Sequence, residues 1–136
     1  MKHIIFILLT VAVLSGCASQ NSLSPAMQAD LAIPIYCEGS GECKAMWKRA
    51  LRFVSLNAGY PITTANAFLI EAEVTERNRQ NWSKYDLGIK VTKSPLSNAR
   101  YQIKVTTGCY AIFSSCSPDA EETLWRALLF IREGRE

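Results

Sequence analysis

The stretches Leu87-Gly88-Ile89-Lys90-Val91-Thr92 and Tyr101-Gln102-Ile103-Lys104-Val105-Thr106, joined through Ser94-Pro95-Leu96-Ser97-Asn98, decide the fold. In each, apolar residues alternate with polar or small ones, the period of a strand that buries one face. The proline-containing connection reads as a turn or short loop, so the two strands run antiparallel. Upstream, Phe68, Ile70, Ala72 and Val74 alternate with Leu69, Glu71 and Glu73, which predicts another strand within 63–75. The polar run Glu76-Arg77-Asn78-Arg79-Gln80-Asn81 follows it and separates it from the strand at Leu87.

Helices flank this meander. Between Glu42 and Asn57, Trp47, Ala50, Leu51 and Val54 fall on one stripe, widened by Met46 and Phe53, and Asn57-Ala58-Gly59 with Pro61 stops the helix. Near the other end, Ser117 reads as an N-cap, Pro118 as the first helical residue, and Asp119, Glu121 and Glu122 suit the positive end of the dipole. Leu124, Leu128 and Ile131 are its apolar stripe, broadened by Trp125 and Leu129, with Arg126 and Arg132 further along. The order α-β-β-β-α predicts an α+β two-layer sandwich, a three-stranded antiparallel meander with two helices on one face and the other face wet. Trp47, Phe53, Phe68, Trp125 and Phe130 supply bulk for the core.

The N-terminal region has a different character. Met1-Lys2-His3 is a short basic start, and Ile4 to Leu14 is apolar apart from Thr10. That run is short for a bilayer span of about 20 residues and fits the apolar part of a signal peptide. Leu14-Ser15-Gly16-Cys17 follows and resembles the lipobox of bacterial lipoproteins. The resemblance covers only about the first seventeen residues. It implies cleavage before Cys17, a diacylglycerol thioether on its sulfur and acylation of the new amino end. Ala18 and Ser19, rather than an aspartate, match the pattern sent on to the outer membrane in lipoproteins of the enterobacterial type. The alternatives are an ordinary secretory signal with an incidental cysteine, or an uncleaved anchor. The resemblance thus divides the chain into a signal peptide (1–16), a lipidated tether (17–34) and a disulfide-stabilised periplasmic α+β domain (35–136). About 16 residues of flexible tether would span about 20–24 Å. Its alternative reading is a short edge strand through Leu31, Ile33 and Ile35.

Composition narrows the function classes. The chain has 136 residues, 49% hydrophobic and 20% charged, with a single histidine, His3, inside the segment expected to be removed. The mature chain would then lack an imidazole for catalysis, metal ligation or pH sensing. Loss of Lys2 leaves 14 basic against 12 acidic side chains, so no dense basic footprint for nucleic acid is present.

After Cys17, Cys37, Cys43, Cys109 and Cys116 form two local groups. An even number in an oxidising compartment favours disulfides, with three possible pairings. Cys37 with Cys43 and Cys109 with Cys116 are preferred because each intervening loop holds Gly or Ser and can turn back. Loops of this size stabilise by roughly 2–2.5 kcal/mol each on the chain-entropy estimate. A four-thiolate zinc site and a redox centre are the rivals, but neither group has C-x-x-C spacing.

No cofactor, metal or catalytic residue is expected. The sequence lacks a Gly-x-Ser-x-Gly elbow and a glycine-rich phosphate loop. Glu71 and Glu73 share a strand face, and with Asp86 they are the carboxylates a cell-wall or glycan enzyme would use. Lys90 and Lys104 on the same wet face favour cross-strand pairing instead. Candidate partner contacts are Lys44, Lys48 and Arg52, with Arg49 nearby, and Trp82 and Tyr85 beside Arg77, Arg79 and Lys84. The blander readings are a solvated helix side for the cations and an open end of the core for the aromatics. The expected protein is a non-catalytic lipoprotein that meets the membrane through acylated Cys17 and binds an envelope protein or cell-wall component, with a small apolar-ligand carrier as a further alternative.

Overall fold

The computed structural model describes residues 23–74, 87–110 and 116–135. In chain order they form α1 (Pro25–Leu31), β1 (Ile35–Glu38), α2 (Gly39–Asn57), β2 (Thr64–Ala65), β3 (Leu69–Ala72), β4 (Leu87–Ser97), β5 (Arg100–Cys109) and α3 (Ala120–Glu133). The strands make one antiparallel sheet in the order β1-β5-β4-β3-β2. The fold is α+β, as its periodicity predicts. The expected meander is β3-β4-β5, but the sheet has five strands, and α1 is an additional helix.

Alternation places Leu87, Ile89 and Val91 of β4 on one face, with Val105 opposite Val91 and Ile70 on its other side. These residues share a core with Met46, Phe53 and Val54 of α2 and Ala127, Phe130 and Ile131 of α3. Phe53 and Phe130 meet with ring centroids 6.0 Å apart. Leu51, placed in the α2 stripe by spacing, is exposed, because the helix turns Cys43, Met46, Ala50 and Phe53 inward.

The stretch expected to be one strand at 63–75 is a hairpin. Asn66 breaks it: its Oδ1 accepts from the backbone amides of Phe68 and Leu69, an Asx turn that reverses the chain between β2 and β3. The turn expected at Ser94–Asn98 is shorter, because β4 continues through Ser97 with an irregularity between Pro95 and Ser97. Pro95 lies beyond the last β3 partner, Thr92, where one side of β4 has no neighbouring strand among the described residues and a missing amide is tolerated. Ala99 closes the turn with φ 62°.

The expected tether folds in its second half. Ser24 caps α1 by accepting from the Met27 amide, Pro25 begins the helix, and Trp125 Nε1 donates to Asp30 Oδ2 at 3.1 Å. Leu31 packs against the core, and the edge strand starts at Ile35 rather than at Leu31. The α3 cap also shifts. Asp119, not Ser117, accepts from the amides of Glu121 and Glu122, because its carboxylate reaches two unpaired amides at once. Gly134, in the left-handed conformation, ends the helix.

Thr123 of α3 is fully buried, and its hydroxyl has no partner among the described residues. Thr123→Val keeps the shape and removes a polar group that water can no longer satisfy. It is expected to stabilise the domain by about 1 kcal/mol. Urea denaturation checks this; a lower midpoint in the valine variant would show that the hydroxyl is engaged.

Candidate functional site

The alternation Leu87, Ile89, Val91 continues to Lys93, so a lysine occupies the next core-facing position of β4. It stands opposite Ile103, and its amide donates to the Phe68 carbonyl at 2.9 Å. The core does not close here. Lys93 Nζ lies 4.9 Å from the Trp47 ring centroid, 5.5 Å from Tyr101 and 5.7 Å from Phe68. Ring quadrupoles attract an ammonium at such distances by about 0.5–2 kcal/mol. A cavity of about 490 Å³ opens beside it, lined by these residues with Gly39, Ser40, Cys43, Lys44, Ala67 and Ala99. Its lining includes no aspartate or glutamate.

Each wall is fixed by local structure. Trp47 Nε1 donates to the Asn66 carbonyl at 3.0 Å, tying α2 to the β2–β3 turn. Tyr101 pairs with Cys37 of β1, and Cys37 is bonded to Cys43, which joins the strand to the first turns of α2. Gly39, with φ +72°, makes the sharp passage between them and donates its amide to Ala99. Glu42 reaches back to accept from the Glu38 amide at 2.6 Å. The cavity thus sits where a disulfide, a hairpin and a helix start are held together.

Of the cations expected to meet a partner, Lys44 lines this cavity, whereas Lys48 and Arg52 are exposed elsewhere on α2. Arg49 is a structural brace: it donates to the carbonyls of Ile131 and Arg132 at the C-terminal end of α3. Cys17, Trp82 and Tyr85 lie outside the described residues, as do Arg77, Arg79, Lys84 and Asp86. Cys37–Cys43 and Cys109–Cys116 are both disulfides, with Cα separations of 5.0 and 5.6 Å. They leave these sulfurs no thiolate for zinc. Among the described residues, no group of three or more His, Cys, Asp or Glu is placed to hold a metal.

On the opposite sheet face, Lys90 Nζ and Glu71 Oε1 are 2.9 Å apart, the cross-strand pair that the alternation predicts. The Glu71 hydrogen bond raises the Lys90 pKa above its ordinary value. The strands alone predict that this face is wet, but it is partly covered. The Tyr110 ring lies over Gly88 and Gly108, where a Cβ on Gly88 would come within 2.6 Å of it. Partial burial pushes the Tyr110 phenol up, with Glu73 adding to the effect. Tyr60 meets Tyr110 edge-on.

Spacing alone places Trp47 and Phe68 in the core and gives Lys93 no role. Phe68 is in fact 54% exposed at the cavity rim. The signal was the phase of Lys93, a charge on the row that three apolar residues had defined. Two other cavities lie beside α1, near Leu31 and Leu124, and around Trp125 and Arg135. Only the Lys93 cavity, of these, combines a caged cation with several aromatic walls. No family model matches the chain, and no curated protein and no solved structure matches it.

Proposed function

We propose that the protein is a bacterial envelope lipoprotein, anchored through acylated Cys17, whose periplasmic domain binds another envelope component without catalysing a reaction. The observation that carries the binding role is the cavity in which Lys93 stands among Trp47, Phe68 and Tyr101 with no acidic lining residue. Aromatic walls with a few polar groups are what a small recognition site needs. Anchoring rests on the Leu14-Ser15-Gly16-Cys17 pattern, and Ala18-Ser19 favours the outer membrane, with the domain facing the periplasm.

The described part of the chain begins before α1, which is docked on α3, and Leu23 lies only six residue steps, with five residues between, after Cys17. Even fully extended they reach about 20 Å. An anchor at Cys17 would therefore let the domain stray less far from the bilayer than a flexible tether running to residue 34. Among the described residues, no helix is long and apolar enough to cross a membrane. Membranes from cells making the intact chain should keep the protein through high-salt and alkaline washes and release it with detergent. Recovery in the soluble periplasmic fraction would contradict the anchoring.

A further inference from the structure

We infer that the Lys93 cavity takes a carboxylated sugar unit of an acidic glycan. This rests on the binding role given above and names its ligand class. The cavity has two kinds of surface. The rings of Trp47, Phe68 and Tyr101 line it, and the apolar ring surface left beside the Lys93 ammonium suits a flat apolar partner such as the C–H face of a pyranose ring. Lys93 and Lys44 supply positive charge, with no carboxylate in the lining to neutralise them. Ring faces hold the Lys93 ammonium more weakly than an ion pair would, so its charge remains available to an incoming anion. One ligand that uses both surfaces carries a carboxylate on a stacking ring. At about 490 Å³ the space falls within the roughly 300–1,000 Å³ of small-ligand sites.

An extended peptide fits less well. Peptides commonly add to a free strand edge, but beside the cavity β4 is paired through Lys93 with both Phe68 and Ile103, and on its unpaired side beyond Lys93 it carries Pro95, which has no amide to offer. Tyr101 of β5 is flanked by Cys37 and Pro95. The cavity offers side-chain faces rather than an open backbone ladder. A bare phosphate would meet the lysines but gain nothing from the rings.

The test is calorimetric titration of the full chain in mild detergent with a glucuronate-containing disaccharide, its neutral methyl ester, inorganic phosphate and a dipeptide ending in phenylalanine. The acidic disaccharide should bind about tenfold or more tighter than each of the others. Lys93→Met keeps an apolar side chain against the rings and removes the charge; it should weaken the acidic disaccharide by a similar factor with the thermal midpoint retained. Phe68→Ala should also weaken it, without unfolding an exposed position, while Lys48→Met should leave it unchanged. Equal binding of acid and ester, tighter binding of phosphate or dipeptide, an unaffected Lys93→Met variant, or no measurable binding at millimolar disaccharide would each overturn the inference. The readout does not depend on Cys17, so an unacylated chain with the expected sugar selectivity would remove the anchoring and leave this inference standing.

Discussion

A chain carrying Cys17→Ser is expected either to accumulate as an unprocessed precursor or to be released as a soluble product. Serine has no thiol for the thioether, so the acylation implied by the lipobox resemblance is lost. Each buried methylene of an acyl chain contributes about 0.8 kcal/mol, and one chain alone gives only marginal, reversible attachment. The resemblance implies three chains on Cys17, so the difference is between effectively permanent attachment and almost none. Other attractions are too small to substitute. A chain cleaved before Cys17 would carry 14 basic against 12 acidic side chains, and a basic residue close to an anionic surface contributes about 1 kcal/mol. Immunoblotting of membrane and soluble fractions measures this. A serine variant that is processed to the same size and partitions with membranes like the parent would contradict the anchoring.

The second large effect is on stability. Ile89→Ala is expected to destabilise the domain by about 2–5 kcal/mol, since Ile89 is fully buried and the space it leaves cannot collapse easily. It sits on β4, between β3 and β5, opposite Ala72 and Thr107. Domains of this size are typically stable by about 5–15 kcal/mol, so the variant should lose a large share of its margin. The measurement is urea denaturation of the oxidised protein. A change below about 1 kcal/mol would mean that the β4 face is not packed as described.

The parts of the fold that were legible in the sequence are those with a long period and a local cause. Alternation through Leu87–Thr92 and Tyr101–Thr106 fixed the central strands, and the apolar spacing from Met46 to Val54 fixed α2. Disulfide pairing was legible because each pair closes a short loop. Short elements carry too few periods to stand out: β1 has four residues and β2 two. Helix α1, of seven residues, is too short to show a period, although Ser24-Pro25 carries the same serine–proline signature as Ser117-Pro118. In the later case the signature misled by two residues, since Asp119 offers the stronger acceptor.

The candidate site was less legible because its meaning depends on where the core ends. Periodicity predicts that Trp47 and Phe68 face inward, but does not show that the layers part at Lys93, which leaves Phe68 exposed at the rim. Arg49 illustrates the reverse. On the sequence it belongs with Lys48 and Arg52, and only the crossing of α2 with α3 brings its guanidinium to the last carbonyls of α3.

The most direct measurement of the central claim is the intact mass of the native protein extracted from the membranes of its host. The account predicts a chain that begins at Cys17, carries a diacylglycerol and an amide-linked acyl chain, and retains its disulfides until reduced. A chain with Met1 to Gly16 still attached and no added acyl mass would contradict it.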